Sequence, residues 1–129
     1  DVVVSKNLDG HGIEKNIDEV EDNEMILDIG PKTISSIEVI INKSRTVLWN
    51  GPAGYFENPN FQNGTKQILD IIEQKTKKDN IFSVAGGGET VAAINKFNKS
   101  NSFTFVSTAG GAFLEFLEGK DLPGINALN

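Results

Sequence analysis

Short apolar runs alternate with amphipathic stretches along the whole chain. Asp1–Val4 reads as a strand, and residues Leu8–Asn23 as polar and irregular, with a short strand near Ile17–Val20. Met25–Ile29 is a further short apolar run. Gly30-Pro31 then opens a helix, because proline near the first helical position loses an N–H that would have no partner there. Ile34, Ile37, Ile40 and Ile41 give that helix an apolar stripe at helical spacing. Thr46–Trp49 reads as a strand, and Thr65–Lys78 as a helix with Ile68, Leu69, Ile71 and Ile72 on one side. Lys75, Lys77 and Lys78 close its last turn, where cations suit the helix dipole. Ile81–Ala85 is a strand of buried character, Glu89–Phe97 a short helix and Phe103–Val106 a strand. The last helix runs over Gly111–Glu118, ended by Gly119 with Pro123 beyond it.

This alternation predicts an α/β fold: a mainly parallel, Rossmann-like sheet with helices on both faces. Ligands in such folds sit at the carboxyl ends of the strands. Three predicted strands end there in special loops: Trp49–Glu57, Ala85–Thr90 and Ser107–Ala112, which carry Asn50-Gly51-Pro52, Gly86-Gly87-Gly88 and Gly110-Gly111. Glycine admits positive φ and the close approach of a ligand. The second and third loops lead straight into helices, whose free N–H groups and dipole favour an anion. A single Gly-Gly pair is more often a packing device, but three such loops at successive strand ends point to an anion or nucleotide site. Neither G-x-x-x-x-G-K-[ST] nor a first-strand G-x-G-x-x-G is present.

Composition narrows this further. At 129 residues the chain fits one domain or a large piece of one. It has no cysteine, so disulfides and thiolate metal sites are excluded, which is compatible with a cytoplasmic location. No apolar run approaches the roughly 20 residues of a membrane span. No signal peptide is visible, and the chain opens inside an apolar run without Met, which leads us to expect further sequence upstream. A net charge of −6 argues against nucleic acid or an anionic membrane as a general partner. Arg45 is the one arginine and His11 the one histidine. An enzyme that grips a phosphorylated three-carbon acid normally needs a cluster of such groups, which this chain cannot supply; if phosphate binds here, backbone amides and a few lysines must hold it.

The loops also carry a resemblance. Thr46-Val47-Leu48-Trp49-Asn50-Gly51-Pro52, Gly86-Gly87-Gly88-Glu89-Thr90 and Val106-Ser107-Thr108-Ala109-Gly110-Gly111-Ala112 resemble successive motifs of the phosphoglycerate kinases. So do Leu27-Asp28-Ile29-Gly30-Pro31-Lys32-Thr33 upstream and Leu117-Glu118-Gly119-Lys120-Asp121-Leu122-Pro123-Gly124 at the end, all in family order. The resemblance implies a two-domain glycolytic kinase. That enzyme moves a phosphoryl group between 1,3-bisphosphoglycerate and ADP, giving 3-phosphoglycerate and ATP with Mg2+. Residues 1–129 then correspond to part of the C-terminal, nucleotide-binding domain. The N-terminal phosphoglycerate-binding domain, with its basic patch, is absent from the chain. The resemblance also implies a monomeric full enzyme in the cytoplasm, and no turnover by this chain alone.

Residue by residue, the resemblance gives Glu57 the ribose hydroxyls, which suits a carboxylate that accepts from two vicinal donors. Asn50 and Pro52 fall in the nucleotide site, and Leu27 and the backbone at Ile26 in the wall near adenine. Ile26 replaces a usual glycine, a change that a carbonyl contact survives. Gly87, Gly88, Glu89 and Thr90 match the phosphate-binding run, with Gly110 in the third loop. Gly88 and Gly111 match the glycines whose amides steady the transferring phosphoryl group, an electrostatic role. Glu89 stands where an aspartate linked to Mg2+ is usual. Its extra methylene moves the carboxylate out by roughly an ångström, and Mg2+ demands near-ideal geometry, so direct and water-bridged contact both stay open. Ala109 replaces a glycine, which matters only if that position needs positive φ. Lys32, His11 and Arg45 read as surface groups, and Trp49 as core beneath its loop. From the residues alone, a stand-alone nucleotide-binding module and a flavodoxin-like domain with packing glycines remain alternatives.

Overall fold

The computed structural model describes residues 1–128. The N-terminal part forms an antiparallel sheet of β1 (Val2–Ser5), β2 (Ile13–Lys15) and β3 (Met25–Ile29), with β1 in the middle. Helix α1 (Pro31–Lys43) follows at once. Its first turn is capped from a distance, since the Asp1 carboxylate accepts the N–H groups of Lys32 at 3.1 Å and Thr33 at 2.8 Å. That satisfies two orphan donors and places negative charge at the positive helix end. Gly30 is needed for this approach, because a Cβ there would lie 2.4 Å from the Asp1 carboxyl carbon.

The rest is α/β. Strands β4 (Thr46–Trp49), β5 (Phe82–Ala85) and β6 (Phe105–Val106) form a parallel sheet in that order, with Trp49 opposite Ala85 and Ala85 opposite Val106. Helices α2 (Asn63–Asp79) and α3 (Gly88–Lys96) make the crossovers, and α4 (Gly111–Leu117) and the short α5 (Pro123–Asn126) follow β6. Both crossovers join neighbouring strands in the same direction, and right-handed connections then place their helices on one face. Trp49 and Ala85 point to that face, into a core with Ile34 and Ile41 of α1, Ile68, Leu69 and Ile72 of α2, and Ala93 and Ile94 of α3. Trp49 is buried there, stacked on Phe103 with ring centroids 5.9 Å apart, as core beneath its loop. The opposite face of the sheet carries Leu48, Phe82 and Phe105, which are 48%, 52% and 57% exposed. Among the described residues, no helix layer closes over these side chains.

Four sequence expectations shift. The strand expected near Ile17–Val20 is a 3-10 turn over Ile17–Glu19, with β2 lying just before it. There the N–H and the side-chain amide of Asn16 both donate to Glu19 Oε2, at 3.0 and 2.9 Å, and this local closure outcompetes extension. The chain is not parallel throughout, since its first sheet is antiparallel. The last strand begins at Phe105 rather than Phe103. Before it, the Ser83 N–H donates to Thr104 Oγ1 and the Thr104 N–H to Ser83 Oγ, so hydroxyls replace the ladder bonds. Pro123, expected only to follow a helix end, is the first residue of α5.

Candidate functional site

The carboxyl ends of three parallel strands lie side by side, so the loops that follow them share one end of the sheet. The first loop leaves β4 at Asn50 and is tied to three elements. The Gly51 N–H donates to Thr90 Oγ1 on α3 at 2.7 Å. The Ala53 N–H donates to Thr65 Oγ1 on α2 at 3.1 Å. The Tyr55 N–H donates to the Leu27 carbonyl on β3 at 2.8 Å. Between loop and strand lies a cleft of about 250 Å³, lined by Ile26, Leu27, Asp28, Ile29, Pro52, Ala53, Gly54 and Tyr55.

Asp28 holds that corner together. Its side chain is buried, at 2% exposure, and accepts the N–H groups of Gly64 at 2.8 Å and Ile29 at 2.9 Å. Burial pushes its carboxyl above the usual carboxylate range, with the backbone hydrogen bonds pulling the other way. Gly54 and Gly64 permit the crowding, since a Cβ on either would come within 2.4 Å of Asp28 Oδ1.

The second and third loops frame another cleft, of about 180 Å³, lined by Gly87, Gly88, Val91, Ser107, Thr108 and Gly110. Gly87 has φ +97° and Gly110 φ +60°, values that L side chains resist. Gly88 begins α3, so the first amides of that helix have no intrahelical partner. The first and second loops touch, because a Cβ on Gly87 would lie 2.5 Å from Asn50 Oδ1.

The structure thus brings Ile26, Leu27 and Pro52 to one cleft and Gly87, Gly88 and Gly110 to the other, with Asn50 at the junction. Gly111 begins α4 at the edge of the second cleft's third loop. Thr90 is fully buried, and its hydroxyl is engaged by Gly51 rather than turned to solvent. Glu89, in the first turn of α3, and Glu57, in the first loop, are exposed and line neither cleft. Among the described residues no group of three His, Cys, Asp or Glu side chains could hold a metal alone. Ala109 is not at positive φ, so alanine costs nothing there. His11 and Arg45 are exposed, and Lys32 donates to Asn16 Oδ1 at 3.1 Å, away from both clefts.

Sequence reasoning gave no role to Asp28 or to Lys96, whose ammonium donates to the carbonyls of Phe56 at 2.5 Å and Glu57 at 3.0 Å. Lysine at the last turn of a helix is the only signal in the sequence, and it reads equally as a dipole partner.

The comparisons agree with this geometry. The family model described as phosphoglycerate kinase matches residues 1–120. A phosphoglycerate kinase of Francisella philomiragia is 49% identical over 130 residues, covering 99% of this chain and 32% of its own length. One from Blochmanniella floridana is 48% identical with the same coverage. The structure of phosphoglycerate kinase from Coxiella burnetii superposes with a TM-score of 0.89 at 44% identity, over 99% of this chain and 33% of that one. That from Pyrococcus horikoshii gives 0.81 at 33% identity, over 98% and 31%. The chain therefore spans about a third of the length of these relatives. With the family model matching residues 1–120 and solved structures superposing over nearly the whole chain, this chain belongs to the phosphoglycerate kinase family.

Proposed function

We propose that the chain supplies part of the nucleotide site of a phosphoglycerate kinase. The whole enzyme transfers a phosphoryl group reversibly between 1,3-bisphosphoglycerate and ADP, giving 3-phosphoglycerate and ATP in glycolysis. The observation that carries this reading is the pair of clefts formed by loops that meet at Asn50 and Gly87, one walled by Ile26, Leu27 and Pro52 and one by glycines at the start of a helix. An adenine and a polyphosphate ask for that combination.

Ile26, Leu27 and Pro52 form the adenine wall, and Asn50 lines the junction. Glu57, exposed beside the first cleft, accepts from the ribose hydroxyls. Gly87, Gly88 and Gly110 let the backbone approach the phosphates, with Thr90 acting through its hold on Gly51. The amides of Gly88 and Gly111 steady the charge of the transferring group. Phosphoryl transfer asks for this positioning, because the protein does little covalent work in it.

Glu89 is the carboxylate available for Mg2+. A lone exposed acid fits that ion, which keeps several waters and shares its shell with substrate phosphates. The ion would neutralise phosphate charge when bound. The phosphoglycerate side needs a basic cluster that one arginine cannot provide, so the chain alone turns nothing over. No helix among the described residues is long and apolar enough to cross a membrane, in keeping with a cytoplasmic enzyme. The charge of −6 sets it against nucleic acid, and we expect the full enzyme to be a monomer.

The test is an assay of the full-length protein and of this chain in parallel, with 1,3-bisphosphoglycerate and MgADP. ATP formation by the full-length protein alone is expected. Its failure to form ATP contradicts the reaction, and ATP formation by the isolated chain contradicts the division of labour.

A further inference from the structure

Helix α3 starts at the glycines of the second cleft and ends at Lys96. At about 1.5 Å of rise per residue, its two ends are about 12 Å apart on a rigid rod. Lys96 is exposed, and among the described residues its ammonium is not on a carboxylate. Its ammonium donates to two consecutive carbonyls of the first loop, Phe56 at 2.5 Å and Glu57 at 3.0 Å. It also stands 5.8 Å from the ring centroids of Phe56 and of Phe97. Phe56 is buried in the core, so one side of this clamp is fixed.

These carbonyls bound the peptide units on either side of the Glu57 Cα, up to and including its own C=O. Holding both with one cation fixes the backbone from which the Glu57 side chain projects. Charge-assisted bonds to carbonyls are stronger than neutral ones, and a cation between two aromatic faces gains further. Of the remaining backbone bonds here, Phe56 N–H to Gly54 and Asn58 N–H to Tyr55 stay within the loop, and Tyr55 N–H to Leu27 ties it to β3, so none of them reaches α3. Lys96 is therefore the link from this turn to the helix that begins at the phosphate end.

We propose that Lys96 is a positioning residue: it orients Glu57 toward the ribose hydroxyls and sets the ribose-binding turn at a fixed distance from the amides of α3. This rests on the ribose role proposed for Glu57, and it predicts a selective defect rather than a general one. A lysine that only stabilised the fold would weaken every nucleotide alike. One that aims Glu57 matters only when the ribose carries hydroxyls.

The experiment uses the full-length protein and two probes, MgADP and its 2′,3′-dideoxy analogue, with affinities from calorimetry. Wild type should bind MgADP more tightly than the analogue. Lys96→Met, which keeps the apolar stem, should lose about ten- to a hundredfold in MgADP affinity, in line with the loss of a charged hydrogen bond. Its affinity for the analogue should stay unchanged, so the discrimination ratio collapses as it does in Glu57→Gln. Lys96→Arg should recover part of the ratio. Equal weakening of both probes, or no weakening of either, overturns the assignment. If wild type binds neither probe, the nucleotide reading fails and takes this assignment with it. If wild type binds both equally, the ribose role of Glu57 fails, and Lys96 with it, while the nucleotide site stands. Should Lys96→Met not fold, Lys96→Arg decides by the same ratio: a value below wild type supports the clamp and an unchanged value overturns it.

Discussion

Replacing Thr90 by valine removes one hydroxyl and almost nothing else. Thr90 lies fully buried in the first turn of α3, and its Oγ1 accepts the Gly51 N–H at 2.7 Å. Gly51 is held at φ +97°, so the turn of the first loop depends on this contact and on glycine together. Valine preserves the shape but sets a methyl group against the N–H. Leaving a buried donor unpaired costs about 1–3 kcal/mol. In a domain of 150–250 residues, each kcal/mol lowers the melting temperature by about 2–4 °C, so the full-length protein should lose roughly 2–12 °C in the affected domain. The same bond fixes Asn50 and Pro52 relative to α3. If half of the cost falls on the bound geometry, MgADP affinity drops about three- to tenfold. Thermal unfolding and calorimetry of Thr90→Val and Thr90→Ser test this. Serine keeps the acceptor and should bind MgADP as wild type does, while losing about 1 kcal/mol of stability for its missing methyl. Wild-type binding by Thr90→Val, or equal binding defects in both variants, would refute the reasoning.

Two further outcomes follow from the fold. Glu73 accepts from Lys77, Lys99 and Ser102, and these partners, led by Lys77, hold its carboxyl down to about 2. A depressed carboxylate stabilises above its ordinary value near 4.5 and loses that contribution as pH falls toward 2. Glu73→Gln should cost about 1–2 kcal/mol at pH 7, allowing for solvent screening, and little at pH 2. Urea midpoints measured across that range check this, and a deficit that does not shrink with acid contradicts it. The isolated chain presents Leu48, Phe82 and Phe105 on one open sheet face beside the unpaired edge of β4, and such surfaces associate. Sedimentation should show self-association, and a cooperatively unfolding monomer would count against it.

Much of this was legible in the sequence because the apolar periods were long. The stripe of Ile34, Ile37 and Ile41 and that of Ile68, Leu69 and Ile72 announced α1 and α2, and both pack into the shared core. Signals that rest on a residue or two were less secure. Ile17 and Val20 suggested a strand, but Asn16 and Glu19 close a turn across them. Pro123 was equally suited to end one helix or to begin another, and it begins one. The antiparallel pairing of β1 was hidden because an isolated apolar run does not encode its partner. At the site, the glycines at the strand ends stood out, since their chemistry is local. Asp28 and Lys96 did not, because their partners lie 36 and 40 residues away. The contact of Thr90 with Gly51 was equally hidden, because the two residues lie 39 positions apart.

The central claim is that the strand-end clefts of this chain form a nucleotide site, and a crystal structure of the full-length protein with MgADP tests it most directly. The account predicts adenine against Ile26, Leu27 and Pro52, ribose hydroxyls on Glu57, and phosphates over Gly87, Gly88 and Gly110. Nucleotide bound elsewhere, with both clefts left to solvent, would contradict it.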